Sequence, residues 1–454
     1  MTSNNSPLKL GTDNIGKLLG EYAIPAIIAM TASSLYNIID SIFIGHGVGA
    51  MAISGLAISF PFMNLAAAFG SLVGVGAATL VSVKLGQKDY NGANMVLGNV
   101  LILNIIIGAI FTLVCLLFLE PILYFFGASE NTIGYAIEFM QIILMGNIVT
   151  HLYLGMNAVL RSSGNPKMAM IITLTSVALN CILNPLFIFV LDFGIKGSAW
   201  ATVISQIISL SWQIVIFSKK DRLLYFKKSI FKLKQELVKG IVSIGLSPFL
   251  MNVCSCLIVI LINRGLKEHG GDLAIGAYGI VNRVAMLFIM VVLGLNQGMQ
   301  PIAGYNFGAK LFDRVMEVTK ITIWLGIGVT TFGFIICELF PAFISGFFTS
   351  DPELIQESIN GLRIVFIVFP VVGFQSVSSN FFLSIGMSKK AIFLSLTRQV
   401  LFLIPLLIIL PPFFGTFGVW VSMPVADFTA SIVTAVLLFN QFKKFNSNPI
   451  EIGR

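Results

Sequence analysis

The chain has 454 residues, of which 56% are hydrophobic and 11% are charged, and its mean hydropathy is +0.93. Soluble globular chains carry about 25% charged residues, so the composition excludes an ordinary soluble domain and indicates a polytopic membrane protein. The formal net charge of +8 invites a nucleic-acid partner, but the positions of the basic residues explain it otherwise.

Apolar stretches of about 20 residues, long enough to cross about 30 Å of hydrocarbon as a helix, recur along the whole sequence. The short alternating segments of an outer-membrane barrel are absent. The predicted fold class is therefore an all-α polytopic membrane protein. We predict twelve transmembrane helices, at residues 15–44, 51–82, 93–119, 132–160, 167–191, 195–217, 237–264, 272–303, 313–340, 353–384, 389–411 and 416–440.

Basic residues concentrate in the loops on one side of these predicted spans. The densest run lies between Lys219 and Lys239, whereas the opposite loops carry mainly acidic residues. By the positive-inside rule, the 218–236 loop and both termini are cytoplasmic. We therefore expect a multi-pass protein of a bacterial-type cytoplasmic (inner) membrane, with a charge balance set by topology and no nucleic-acid partner.

The two halves of the chain resemble each other at an offset of about 222 residues. Pro25 in span 1 corresponds to Pro248 in span 7, and Gly86 after span 2 corresponds to Gly308 after span 8. The predicted organisation is an N-terminal six-helix lobe, a basic cytoplasmic linker and a C-terminal six-helix lobe, at residues 1–217, 218–236 and 237–454. Two pseudo-symmetric six-helix lobes around a central cleft are typical of an alternating-access transporter.

Three spans of the N-terminal half carry polar residues on one helical face. Lipid cannot satisfy these groups, so the three stripes should face one another or a water-filled cavity. Interhelical hydrogen bonding is the structural alternative for any single Ser or Thr. The stripes comprise Ser33, Tyr36, Asn37, Asp40 and Ser41 in span 1, Thr173, Ser176, Asn180 and Asn184 in span 5, and Ser198, Thr202, Ser205, Gln206 and Ser209 in span 6.

Asp40 is the distinctive member of these stripes. A charged Asp near mid-span costs a few kcal/mol of insertion energy, and no Lys or Arg of spans 1 to 6 lies evidently deep enough to neutralise it. Structural pairing remains one interpretation, and a functional proton or cation site is the other. As a proton site, Asp40 would take up H⁺ outside and release it inside. As a Na⁺ site, it would act with the Asn180 and Asn184 carbonyls and the Thr202 hydroxyl, which are hard oxygen ligands.

The C-terminal half contains charged residues within predicted spans. Arg283 lies in span 8, Arg398 in span 11 and Asp427 in span 12. We predict that these are buried charges of the C-terminal lobe, with Arg398 paired to Asp427 because spans 11 and 12 are consecutive and antiparallel. A second proton site at Asp427 is the functional alternative.

The remaining chemistry-bearing residues favour no catalytic or metal site. All five cysteines fall within apolar spans, at spacings that match no zinc or redox motif, and His46, His151 and His269 are assigned to loop positions. No phosphate-binding loop or nucleophile motif is present. We therefore expect neither an enzyme nor a bound cofactor, apart from H⁺ or Na⁺ as the coupling ion, and no metal beyond Na⁺ at Asp40.

Four segments together resemble one family over nearly the whole chain: "YNIIDSIFIG" in span 1, "KLGQ" after span 2, "LRSSGNPK" before span 5, and "NPLFIF" beyond Asn180. The sequence is similar to the MATE (multidrug and toxic compound extrusion) transporters, in their DinF-like and MepA-like branch. The resemblance implies secondary active efflux of bulky, often cationic amphipathic compounds in exchange for H⁺ or Na⁺. It assigns Asp40, Asn180, Asn184 and Thr202 to the coupling site. Family members with a well-formed Na⁺ site carry a second carboxylate where this chain has Asn184, so H⁺ is the favoured ion.

The expected partners are small-molecule drugs or organic cations and the lipid bilayer, with the protein itself a monomer. A flippase for a lipid-linked oligosaccharide or another lipid is the alternative, but it would call for several Arg residues facing the cavity, and the N-terminal half has no such cluster. An intramembrane enzyme or receptor is a third, weaker hypothesis. The residues predicted to line the substrate cavity are Ser33, Tyr36, Asn37, Met63, Ser176 and Gln206.

Overall fold

A computed structural model describes residues 9–447, without the side chains of residues 37, 38, 50 and 228. All regular structure in this range is helical. The first half contains α1 Lys9–Thr12, α2 Ile15–Gly47, α3 Ala50–Gly86, α4 Tyr90–Leu117, α5 Leu119–Phe125, α6 Ile133–Met145, α7 Asn147–Ser162, α8 Pro166–Pro185 and α9 Ile195–Ser218. A π-helical segment, Leu186–Val190, extends α8, and a 3₁₀ turn lies at Lys228–Ile230.

The second half repeats this arrangement with longer continuous helices. A π-helical segment, Thr397–Leu403, again interrupts the eleventh span. The helices are α10 Gln235–Gly308, α11 Phe312–Leu339, α12 Pro341–Gly346, α13 Pro352–Phe366, α14 Phe369–Ser384, α15 Ser388–Leu396, α16 Ile404–Ile409 and α17 Pro411–Ser447.

The predicted twelve spans are found in the described range. Nine helices are long and apolar enough to cross a membrane, and two bent pairs, α6 with α7 and α13 with α14, each form one further span. The 74-residue α10 contains two spans, because the backbone leaves the helical conformation at Gly271 (φ 66°). The predicted all-helical fold class is confirmed.

The internal duplication is visible in the backbone itself. Residues with positive φ recur in the two halves, in the left-handed region that side chains with a Cβ rarely occupy. Their offset is 221 or 222 residues, as the sequence comparison predicts. The pairs are Gly49 with Gly271, Lys88 with Lys310, Gly164 with Gly386, and Gly194 with Gly415.

The helices form two compact units, each with an apolar core. The first unit contains residues 28–249 and the second contains residues 10–27 together with 250 onwards. Their boundaries, 27/28 and 249/250, are themselves 222 residues apart. The first part of α2 thus packs with the second unit, and residues 237–249 of α10 pack with the first, so the units differ from the predicted sequence ranges at these two helices.

Glycines allow the close helix packing in each unit. In the first unit, a Cβ added at Gly245 would lie 1.7 Å from the Leu72 carbonyl oxygen. In the second unit, a Cβ added at Gly298 would lie 2.5 Å from the Cα of Ala23. Larger residues at these positions would separate the helices.

The segment between α9 and α10, residues 219–234, is fixed to α4 and is called the basic strap below. Asn94 accepts a hydrogen bond from the Tyr225 amide (2.9 Å) and donates one to the Leu223 carbonyl (3.4 Å). Asn99 accepts from the Lys234 amide (3.1 Å) and donates to the Lys232 carbonyl (3.2 Å). The basic strap is therefore part of the first unit.

Candidate functional site

Asp40 lies in α2 with only 6% of its surface exposed. Its Oδ1 accepts a hydrogen bond from the Ser198 hydroxyl of α9 (2.6 Å) and another from the Asn184 side-chain amide of α8. The prediction that the polar stripes of spans 1, 5 and 6 face one another is confirmed by these contacts.

Two glycines hold the three helices close enough for this contact. A Cβ at Gly47 of α2 would lie 2.2 Å from Ile188, and a Cβ at Gly197 of α9 would lie 2.9 Å from the Phe187 carbonyl carbon. Both contacts fall on the π-helical segment that begins after Pro185, where the missing proline N–H favours a departure from regular α-helix. The segment next to Asn184 is therefore packed tightly against both neighbouring helices.

A second set of hydrogen bonds lies one helical turn along α8 and α9. The Asn180 amide donates to the Thr202 hydroxyl (3.0 Å), and the Tyr36 hydroxyl also pairs with Thr202. Asn180 and Thr202 are buried. The structure thus divides the four predicted coupling residues between two adjacent layers, with Asp40 and Asn184 in one and Asn180 and Thr202 in the other.

No positive charge is paired with Asp40. Within residues 9–447, none of the ion pairs involves it. Its two neighbours, Asn184 and Ser198, are neutral groups that can each donate or accept a hydrogen bond. They are therefore suited to both the carboxylate and the carboxylic acid form of Asp40.

The same residues give a limited set of oxygen ligands for a cation. The Asn184 side-chain oxygen is buried and makes no hydrogen bond to the described residues, while its nitrogen faces Asp40. A cation here would have one carboxylate and otherwise neutral oxygens. Because affinity for hard cations rises with the number of charged ligands, this donor set fits Na⁺ less well than a proton.

The predicted cavity residues have different environments. Ser33 and Tyr36 are partly buried on α2, and the side chain of Asn37 lies outside the described residues. Met63 packs against the apolar core of the first unit.

Ser176 and Gln206 are engaged in polar contacts inside the first unit. Ser176 pairs with the Tyr153 hydroxyl. The Gln206 side-chain oxygen accepts a hydrogen bond from the Thr150 hydroxyl (2.5 Å). Both residues therefore help to join the helices of this unit.

In the second unit, Arg398 and Asp427 form the predicted ion pair. Arg398 lies on the π-helical segment Thr397–Leu403, and Asp427 is buried on α17. The neighbouring Gln399 donates a hydrogen bond to the Ser255 hydroxyl (3.0 Å). The π-helical segment thus presents consecutive polar residues to two helices.

The prediction of a buried charge at Arg283 is wrong, because this residue is exposed. Val281, Val284 and Ala285 form the inward face of this part of α10, and Arg283 lies off that face. The assignment of His151 to a loop is also wrong. His151 is fully buried within α7, and its Nε2 lies 3.0 Å from the Ala66 carbonyl oxygen.

Sequence reasoning placed Ser198 in a polar stripe but did not single it out as a partner of Asp40. The signal was available in part, because Ser198 lies four residues before Thr202 on the same face of span 6. Spacing along one helix does not reveal which residue on it reaches a side chain 158 positions away.

Comparisons with known proteins agree with this architecture. The MatE family model matches residues 25–186 and 244–409. The multidrug export protein MepA of Staphylococcus aureus (strain MSSA476) is 27% identical over 93% of each chain, and MepA of Staphylococcus haemolyticus is 27% identical over 94% of each.

Solved structures show the same fold. A MOP superfamily transporter from Pyrococcus furiosus superposes with a TM-score of 0.92 at 23% identity, covering 99% of this chain and 100% of that one. An outward-facing multidrug resistance MATE transporter superposes with a TM-score of 0.91 at 23% identity and the same coverage. The family match covers most of both six-helix halves, and the chain therefore belongs to the MATE family of membrane transporters and is not an enzyme.

Proposed function

We propose that this protein is a proton-coupled multidrug exporter that works by alternating access. The observation that carries the proposal is Asp40, a buried carboxyl that contacts the neutral donors Asn184 and Ser198 and has no cationic partner in the described chain. A carboxyl in such a site can change its protonation state without breaking an ion pair.

The proton provides enough energy for uphill export. Each elementary charge that moves across the membrane contributes about 2.3 kcal/mol per 100 mV. A tenfold proton gradient adds about 1.4 kcal/mol. One proton per cycle can therefore concentrate a small solute several tenfold.

Proton uptake at Asp40 would change what its layer can bind. The carboxylate accepts hydrogen bonds at both oxygens, whereas the acid also donates one. The buried Asn184 oxygen is an acceptor suited to the added proton. Asn180, Thr202 and Tyr36 form the adjacent layer through which this change would reach the rest of the first unit.

The expected substrates are bulky, often cationic amphipathic compounds. The MepA relatives are multidrug export proteins, which favours export over the flippase alternative. Ser33, Tyr36, Asn37, Met63, Ser176 and Gln206 remain our proposed cavity residues. Aromatic faces attract organic cations, and methionine adapts to many shapes.

We assign the protein to a bacterial cytoplasmic membrane with both termini and the basic strap on the cytoplasmic side. The distribution of Lys and Arg supports this orientation. We expect the transporter to act as a monomer.

The deciding experiment is ethidium transport in everted membrane vesicles under an imposed proton or Na⁺ gradient. We expect the proton gradient to drive the wild type. Asp40→Asn should lose coupled transport, since an amide cannot exchange a proton. Asp192→Asn is the matched control, because Asp192 is exposed and Asn tolerates its positive φ.

Asn184→Asp tests the ion itself. A second carboxylate beside Asp40 should create or strengthen a response to Na⁺. If a Na⁺ gradient alone drives the wild type, proton coupling is wrong. If Asp40→Asn retains full gradient-driven transport, the role of Asp40 is wrong.

A further inference from the structure

A basic pocket lies at the end of α17 in the second unit, away from the ion pair of Arg398 and Asp427. Its volume is about 390 Å³. The lining residues are Lys390, Leu437, Asn440, Lys443, Lys444 and Ser447. Three of these six carry positive charge and none is acidic.

The lysines come from two different helices. Lys390 of α15 donates a hydrogen bond to the Gln441 side-chain oxygen (2.5 Å), and its ammonium lies 5.3 Å from the centre of the Phe382 ring. It also experiences the positive charge of Lys444. Lys443 and Lys444 are exposed, and none of the ion pairs in residues 9–447 involves these three lysines. Like charges are thus held together without an anion to compensate them.

An apolar stripe on the same helix leads directly to this pocket. Phe428, Ile432, Val436 and Phe439 are 52%, 52%, 55% and 71% exposed. Their spacing of three or four residues places them on one face of α17, and Lys443 continues that face. From Phe428 to Phe439 the stripe is about 16 Å long, close to half of the ~30 Å hydrocarbon thickness.

We propose that this pocket and stripe bind an anionic phospholipid, with the headgroup phosphate between the lysines and an acyl chain along the stripe. Basic pockets at the cytoplasmic end of transmembrane helices recognise anionic headgroups, and each Lys near the membrane surface contributes about 1 kcal/mol. The site needs both parts of the lipid, a negative headgroup at the lysines and a chain on the exposed apolar side chains. It does not depend on which ion drives transport.

The test is binding of phosphatidylglycerol to the purified full-length protein, by native mass spectrometry and by the shift in unfolding temperature. Phosphatidylcholine with the same acyl chains is the neutral comparison. We expect phosphatidylglycerol to bind more tightly and to raise the unfolding temperature further. The double variant Lys443→Gln, Lys444→Gln should weaken phosphatidylglycerol binding about tenfold or more.

The matched control is Lys219→Gln, Lys220→Gln, which removes the same charge from exposed positions in the basic strap. It should leave binding at this site unchanged. Equal effects of the two double variants, or equal binding of the two lipids by the wild type, would overturn the proposal.

Two further probes separate the headgroup from the chain. Inorganic phosphate should stabilise the protein far less than phosphatidylglycerol, and equal stabilisation would identify an anion site with no lipid specificity. Phe439→Ser should weaken binding of long-chain phosphatidylglycerol more than binding of its dihexanoyl form. If both forms weaken equally, the assigned acyl-chain position is wrong.

Discussion

At the scale of single residues, Asp40 and Asp427 show two ways of keeping a carboxyl inside a helical membrane protein. Asp40 contacts neutral hydrogen-bond partners, whereas Asp427 is paired with Arg398. A buried ion pair resists loss of either charge, because removing one partner leaves the other without compensation. Proton exchange is therefore more readily accommodated at Asp40.

The Arg398–Asp427 pair predicts a specific pattern of stability. Asp427→Asn and Arg398→Met should each lower the free energy of unfolding by about 3–5 kcal/mol, because each leaves one buried charge alone. The double variant should recover much of that loss. Thermal unfolding in detergent measures all three, and additive losses in the double variant would contradict structural pairing.

Asp89 predicts a pH-dependent contribution outside the spans. It accepts hydrogen bonds from the Lys84 ammonium (2.9 Å) and from the Gly92 amide at the start of α4 (2.8 Å). The Lys84 hydrogen bond, and to a lesser degree that of Gly92, holds the pKa of Asp89 below its usual value. A lowered folded-state pKa stabilises the protein above the ordinary pKa of about 3.9, and that contribution is lost as the pH falls below it.

Asp89→Ala should therefore cost about 1 kcal/mol near pH 7, and the difference from wild type should shrink below about pH 4. Most of this cost belongs to the helix cap, because the Asp89 side chain is 40% exposed and solvent screens its ion pair. Asp89→Asn keeps a capping residue and should remove the pH dependence. Unfolding temperatures measured across this pH range provide the check, and a pH-independent difference would contradict it.

At the scale of elements, the basic strap is held by amide side chains that substitute for backbone partners. Asn94 and Asn99 each both donate to and accept from the strap backbone. Gly98 lies between them, and a Cβ there would be 2.1 Å from the Ile230 carbonyl oxygen. A segment that composition suggests is a linker is therefore a packed element of the first unit.

Gly98→Ala should displace the strap and make it more sensitive to trypsin, since the strap contains seven Lys or Arg residues. Gly134→Ala is the control, because a Cβ at Gly134 would meet nothing within 4 Å. That substitution should leave cleavage unchanged and favour the helix slightly. Equal cleavage rates in the two variants would show that the contact at Gly98 does not hold the strap.

At the scale of the whole molecule, the duplication extends from sequence to backbone and to the division into units. Left-handed positions such as Gly194 and Gly415 recur with nearly the same φ and ψ, 56° and −139° against 58° and −139°. The two units exchange the first parts of their opening spans at boundaries that obey the same offset. Function has diverged within this frame, because the corresponding spans contain Asp40 with neutral partners in one unit and the Arg398–Asp427 pair in the other.

The proposed orientation predicts labelling from opposite sides of the membrane. Ser229→Cys, in the basic strap, should react with an impermeant maleimide only after the cells are permeabilised. Ser350→Cys, in an acidic loop between α12 and α13, should react in intact cells. Both residues are exposed, and the wild type measures the background from its five native cysteines. The reverse pattern would invert the topology.

The sequence by itself determined the membrane class, the twelve spans, the duplication and the polar stripes. These features depend on composition and on periodicities of a few residues, which any helix of this length must express. The Arg398–Asp427 pair was also predictable, because it joins consecutive antiparallel spans.

Only the tertiary structure decided which polar residues meet. Asp40 lies 144 positions from Asn184 and 158 from Ser198, and helical periodicity gives a face but not its partner. The exposed Arg283, the buried His151 and the packed basic strap were missed for the same reason. Each depends on how one helix is rotated against its neighbours, which is set by glycine contacts and side-chain packing across the unit.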